Sequence, residues 1–184
     1  MKNAKKPLAL ILRPEPDAEI LQNKLEKLGC DSIINNMLTI IPDIEAAVKW
    51  NNIYNDKIQA VLVTSGNAIR ALANITDIRD MKIIAVGDNS MYIAKEYNFT
   101  NVESAKGDTE SLKKYVETNL KPKDGKLIYI CGNHITDDLE KYFTKANYDI
   151  EQIILYEAIA AKKINAVVKS KIINKQVDII LFYS

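Results

Sequence analysis

The sequence predicts an α/β protein built on parallel sheets with helices on both faces. Three observations point there. Short apolar runs of strand length alternate with amphipathic stretches along the whole chain. The runs are continuously apolar, as strands covered on both faces are. Their carboxyl ends carry Gly, Ser, Asn and Asp, the residues that start helices. At 184 residues, with 47% hydrophobic and 27% charged positions, the chain can bury a substantial core as one large domain or two small ones.

In order, Leu8 to Leu12 is a fully apolar run closed by Arg13-Pro14. From Asp17 to Leu28 the residues Ile20, Leu21, Leu25 and Leu28 fall at helical spacing, and Gly29 supplies the stop. Ile33-Ile34 and Met37 to Ile41 read as extended, and Pro42-Asp43 opens a helix through Trp50. Ala60 to Val63 is a buried strand, and Ser65 stands at the N-cap of a helix carrying Ala68, Ile69 and Leu72. Lys82 to Val86 and a helix from Asn89 to Tyr97 repeat the unit. Asp108-Thr109 caps a helix to Leu120; Lys126 to Ile130 is a strand and Thr136 to Ala146 a helix. Ile150 to Tyr156 is a strand continuing to Ala161, and a helix from Ala166 to Ile173 leads into Val177 to Phe182. The segment Lys57 to Ser65 echoes Gln176 to Ser184: a polar lead-in, a buried strand, then a hydroxyl pair. A helix follows Ser65, whereas nothing follows Ser184, so the last unit is expected to be cut short.

Charge and composition exclude several classes. With 25 Lys+Arg against 24 Asp+Glu, the chain lacks the clustered excess of cations that general nucleic-acid binding needs. An anionic small ligand remains open, because backbone amides bind anions without moving the net charge. Cys30 and Cys131 are too few for a disulfide framework, and His134 is the only histidine, so a Cys/His zinc site or a His-based triad has little to build on. The apolar run behind the N-terminal lysines falls short of the roughly 7–15 residues of a signal-peptide core and the about 20 of a spanning helix. A cytoplasmic protein without a membrane partner is expected. No G-x-x-x-x-G-K-[ST] or strand-following G-x-G-x-x-G occurs, and with 6 Gly a dinucleotide or P-loop enzyme is not expected.

Three loops at strand carboxyl ends are the candidate ligand sites, since that edge is where open α/β sheets bind. They are Thr64-Ser65-Gly66-Asn67, Gly87-Asp88-Asn89-Ser90 and Gly132-Asn133-His134. Each offers a glycine for close approach, hydroxyl or amide side chains, and a following helix whose free N–H groups suit carboxylates or phosphates. For any one loop ordinary capping is the simpler reading; three on one sheet edge favour a binding edge. Arg13 directly follows the first strand, where its guanidinium can grip a carboxylate bidentately or pair with the flanking Glu15 and Asp17. His134 reads as an acid/base group or as a solvent-facing neighbour of a helix cap. Tyr156, ending the strand Ile153-Ile154-Leu155, either presents a phenol to the ligand edge or only packs.

These strings, taken together, resemble the uroporphyrinogen-III synthases. Val61 to Ile69 looks like that family's TS-x-NAV segment, and Ile84 to Ser90 resembles its VG-x-x-TA loop. Cys131-Gly132-Asn133 and the helix to Ala146 look like the G-x-x-x-R-x-x-L region, and Leu155-Tyr156 resembles the strand that ends in a characteristic tyrosine. Asp178 to Ser184 resembles the second FTS segment, and Leu10 to Pro14 the opening strand. Ser90-Met91 stands where Thr-Ala is usual, Tyr183 replaces a threonine, and Asp137-Asp138 follow Asn133 where the family has an arginine.

The resemblance implies two flavodoxin-like, doubly wound domains: residues 1–37 plus 158–184, discontinuous and truncated, and residues 38–157 inserted between. It implies an active site in the cleft between them and a lyase that cyclises the linear tetrapyrrole hydroxymethylbilane, inverting ring D and losing water. No cofactor or metal is implied, and the complete protein would be a monomer. The candidate site residues are Tyr156 as catalytic acid, with Arg13, Thr64, Ser65, Gly66, Asn67, Gly87, Asn89, Ser90, Gly132, Asn133, His134 and Ser184 as substrate contacts. The rival reading is a non-catalytic two-domain module that binds a small anion; a methyltransferase-like Rossmann enzyme would want a Gly-rich loop where Arg13-Pro14-Glu15-Pro16 stands.

Overall fold

In the computed structural model, which describes residues 5–54 and 57–182, the apolar runs become strands and the amphipathic stretches become helices. The order begins β1 (Leu8–Ile11), α1 (Asp17–Lys27), β2 (Asp31–Ile34), β3 (Leu38–Pro42), α2 (Ala46–Ile53), β4 (Ile58–Val63), α3 (Gly66–Ile75) and β5 (Ile83–Ala85). It continues α4 (Asp88–Glu96), β6 (Val102–Ser104), α5 (Thr109–Asn119), β7 (Lys126–Gly132), α6 (Leu139–Lys145), β8 (Ile150–Ala160), α7 (Ala166–Ile173) and β9 (Ile179–Leu181). The chain divides into two compact units, Met1–Ile40 with Ala158–Ser184, and Ile41–Glu157.

In the first unit β1 pairs in parallel with β2 on one side and β9 on the other. Gly29 ends the α1 turn at φ +79, a conformation in which a side chain is strained. Asn165 caps α7, its Oδ1 accepting from the Val167 amide at 2.9 Å, while its own amide donates to Asn35 Oδ1 at 2.9 Å. Cover on both faces does not extend to β9, where Ile179 and Ile180 are 40% and 42% exposed.

The larger sheet has the order β3-β8-β7-β4-β5-β6. From β4 the chain winds outward through β5 and β6, then returns to the other side of β4 for β7 and β8, all in parallel pairs. The winding therefore reverses between β4 and β7. In an open α/β sheet the loops on either side of such a reversal diverge at their carboxyl ends and leave a crevice. One face of this sheet buries Ala60, Leu62, Ile84, Leu127, Tyr129 and Cys131 against Leu112, Val116 and Leu120 of the α5 region and Leu139 and Phe143 of α6. Alternate residues Val61, Val63, Ile128 and Ile130 are also buried, on the face where α3 packs against β4 and β7. Fully burying one such side chain contributes about 1.5–3 kcal/mol, so these layers fix the strand ends firmly.

Three local expectations are corrected. The second helix begins at Ala46, not at Pro42-Asp43, because the Asp43 amide is committed to the Leu155 carbonyl at 2.9 Å and its Oδ1 accepts from the Glu45 amide. The helix expected from Thr136 begins at Leu139, since Asp138 is the residue that caps it, its Oδ1 accepting from the Lys141 amide at 2.9 Å. Strand β6 was not expected: Val102-Glu103-Ser104 is short and polar, and becomes a strand only through its register with Ile83–Ala85. Of the candidate site residues, Ser184 lies outside the described residues.

Candidate functional site

The site is built where β4 and β7 end, beside Tyr156 in the middle of β8. At the end of β4, Ser65 holds an extended backbone and its Oγ accepts from the Ala68 amide at 3.2 Å, starting α3. The same Oγ lies 3.0 Å from the Tyr156 hydroxyl. One residue earlier, Thr64 Oγ1 lies 3.4 Å from the hydroxyl of Tyr129, a looser contact.

Tyr156 reaches this point through a β-bulge. Cys131 pairs with Ile154 and Gly132 with Tyr156, so Leu155 is an extra residue in the ladder. Regular alternation would leave Tyr156 on the side of Ile154, which is 37% exposed; instead Leu155 and Tyr156 are both buried. The two carbonyls at the bulge are used: Leu155 accepts from Asp43 and Tyr156 from the Asn133 amide at 3.1 Å. Gly132 is required by the turned ring, because a Cβ there would sit 2.5 Å from Tyr156 Cε2. Gly66 is explained differently: a Cβ would strike the Ile93 side chain, so this glycine serves the packing of α3 on α4.

Burial governs the electrostatics. It pushes the Tyr156 phenol above its ordinary value, with the Ser65 hydrogen bond pulling partly back, and pushes the Tyr129 phenol up in the same way. It drives the Cys131 thiol up to about 12, which keeps that sulfur protonated and unreactive. What the strand ends offer is therefore a cluster of neutral hydroxyls: a buried phenol able to give a proton, a serine able to hold the resulting phenolate, and backbone amides for anions.

The remaining candidates are spread more widely. Asn67 Oδ1 accepts from Arg70 Nη1 at 2.9 Å, within the first turn of α3. Gly87 is the N-cap of α4 and Asn89 is exposed beside it, but Ser90 is only 5% exposed, turned inward under the helix. The Gly107 amide donates to Val86 at 3.1 Å and brings the β6–α5 turn against Gly87. Asn133 and His134 are exposed on the loop after β7; because α6 starts at Leu139, its first-turn amides do not adjoin them, unlike the amides after Ser65 and Gly87. Arg13 stands at the carboxyl end of β1 in the other unit, its Nη2 2.6 Å from Asp17 Oδ2. Sequence reasoning missed Tyr129, hidden in the middle of an apolar run, and a buried lysine, Lys113, whose partner Asp137 follows Asn133. Its only signal was a lysine at an apolar helical position, between Leu112 and Val116.

Among the described residues no group of three or more His, Cys, Asp or Glu side chains is placed to hold a metal ion, and no helix is long and apolar enough to cross a membrane.

Comparison with known proteins places this geometry in context. The family model described as uroporphyrinogen-III synthase HemD matches residues 19–184. A mutant uroporphyrinogen III synthase from the extremely thermophilic bacterium Thermus thermophilus is similar in structure, with a TM-score of 0.57 at 13% identity over 95% of this chain and 71% of that one. Uroporphyrinogen-III synthetase from Helicobacter pylori is similar with a TM-score of 0.54 at 12% identity, over 90% and 67% of the two chains. At such identities the likeness is one of fold. No curated protein matches the sequence.

Proposed function

The chain belongs to the uroporphyrinogen-III synthase family, and from that premise we propose that it cyclises hydroxymethylbilane to uroporphyrinogen III, with the ends of β4 and β7 and the adjoining Tyr156 of β8 holding part of the substrate. The observation that carries the reading is the Tyr156 hydroxyl, buried at the reversal of the sheet and 3.0 Å from Ser65 Oγ.

The chemistry asked of such a site is modest in bond-making and demanding in placement. The carbon–oxygen bond of the hydroxymethyl group breaks, and the phenol proton leaves with the oxygen as water. The resulting cation is attacked by the ring D carbon that already carries the bridging methylene, giving a spiro intermediate. The bond from that carbon to its old methylene then breaks, the methylene re-bonds to the free α-carbon of ring D, and the proton shed from that α-carbon restores the phenol. Tyr156 is the proton donor in this scheme, and Ser65 donates to the transient phenolate. Without an enzyme, closure gives the uninverted isomer, so the protein must hold the chain ends where the inverted, spiro route is faster; that is a matter of orientation. A polycarboxylate can be oriented without a large net charge by Thr64, Ser65 and Asn133 and by the amides that open α3 and α4. Ser90, buried under its helix, contributes shape and not a carboxylate contact.

Supplying hydroxymethylbilane and resolving the product isomers tests the reading against a non-catalytic anion-binding module. A catalyst gives the inverted isomer faster than the spontaneous reaction gives the other one. A binding module leaves the spontaneous product unchanged.

A further inference from the structure

Lysine is almost never fully buried unless it is paired, yet Lys113, on α5, is only 7% exposed. Its Nζ lies 2.6 Å from Glu110 Oε1 and 2.5 Å from Asp137 Oδ2. It also sits 4.6 Å over the ring of Tyr142 on α6, whose hydroxyl donates to Glu117 Oε1 of α5 at 2.7 Å. The two carboxylates are unequal: the Glu110 side chain is 76% exposed and the Asp137 side chain 33%, so water can replace the first partner more easily than the second. Hydrogen bonds that Lys113 donates to Asp137 and then to Glu110 raise its ammonium above its ordinary value, which keeps it charged at any physiological pH.

The place of Asp137 gives this pair its meaning. It ends the loop that leaves β7 through Gly132, Asn133 and His134, before Asp138 caps α6. The near end of the loop is fixed by the Asn133 amide on the Tyr156 carbonyl at 3.1 Å. The far end has a backbone bond from Leu139 to the Asp137 carbonyl and, through the side chain, Lys113. We infer that Lys113 is a positioning residue: it latches Asp137 so that the 133–138 loop stays seated at the β7 strand end, and it neutralises a carboxylate that would otherwise confront an anionic substrate. The second half of this rests on the function proposed above; the first does not.

Two readouts separate the halves. Amide hydrogen exchange over residues 133–138 is compared in the wild type, Lys113→Met, Lys113→Arg and Asp137→Asn, with circular dichroism confirming the fold. The KM and kcat for hydroxymethylbilane are measured alongside. Lys113→Met is expected to speed exchange in the loop about tenfold and raise KM about fivefold, with kcat within about twofold of wild type. Lys113→Arg should preserve both values. In the double variant Lys113→Met/Asp137→Asn, KM should return towards wild type while exchange stays fast, because the repulsion is gone and the latch is not restored. Unchanged loop exchange in Lys113→Met overturns the latch; a KM that the double variant does not recover overturns the electrostatic half. Should Lys113→Met fail to fold, Asp137→Asn alone decides, with faster loop exchange expected and wild-type exchange contradicting. A wild-type chain that forms no uroporphyrinogen III defeats the functional reading and its electrostatic corollary, and leaves the latch to be judged by exchange.

Discussion

Tyr156 shows how much one side chain depends on its surroundings. A phenol is a useful acid only while it holds its proton, and burial moves this one up from 10.0, the ordinary phenol value. The sign follows directly. The protonated form is favoured in the fold, so its contribution to stability is present below the unfolded value and is lost as pH rises through the higher folded one. A donor in that state keeps kcat level from about pH 7 to about pH 9, with any decline attributable to it appearing above the ordinary phenol range. A pH–rate profile falling through neutrality would assign the proton to another group. Gly132 faces the same ring: Gly132→Ala places a Cβ 2.5 Å from Tyr156 Cε2. Overpacking of that kind costs about 1–3 kcal/mol, to be read from denaturant unfolding, and the displaced phenol should lower kcat as well. The sequence pointed to Tyr156 because it ends an apolar strand, and to Ser65 because it precedes a helix. That they touch could not be read, because 91 positions separate them and a bulge decides where the ring turns.

At the scale of elements, the capped helices were the most legible. Ser65 and Asp108 each stand before an apolar helical face, and each caps with its side chain. The helix read from Thr136 begins instead at Leu139 with Asp138 as its cap, and Asp137, one residue earlier, pairs with Lys113 on another helix, a contact that local rules do not reveal. Strand β6 was illegible for a related reason, since its strand character comes from its neighbour and not from Val102-Glu103-Ser104. The bulge on β8 leaves no mark in Ile153-Ile154-Leu155-Tyr156, a run that satisfies a regular strand equally well. Ser65 joins the element to the site, and Ser65→Ala separates the two roles. Loss of the cap should cost about 1 kcal/mol of unfolding free energy, followed through Trp50 in the same unit. Loss of the Tyr156 partner should lower kcat beyond what that destabilisation explains. A variant as stable as the wild type would show that α3 does not need the cap.

At the scale of the molecule, the two sheets are unequally covered. Strands β4 and β7 are buried along nearly their whole length, whereas β9 of the first unit leaves Ile179 and Ile180 exposed. The single tryptophan, Trp50, is 1% exposed and belongs to the unit spanning Ile41–Glu157, so its fluorescence reports on that unit alone. Far-ultraviolet circular dichroism reports on both. With less apolar burial, the first unit should unfold at lower denaturant, so the dichroism curve should begin to fall before the Trp50 signal changes. Coincident curves would mean that the chain unfolds as one cooperative body.

The most direct measurement is a single-turnover experiment that resolves the porphyrinogen isomers made from hydroxymethylbilane by the wild type and by Tyr156→Phe. The wild type should form the inverted isomer well above the spontaneous rate. Tyr156→Phe should do so about a hundredfold more slowly, with the uninverted isomer gaining in proportion. Equal rates of inverted product from both proteins would contradict the role given to the buried phenol. Only the uninverted isomer from both, at the spontaneous rate, would contradict the synthase itself.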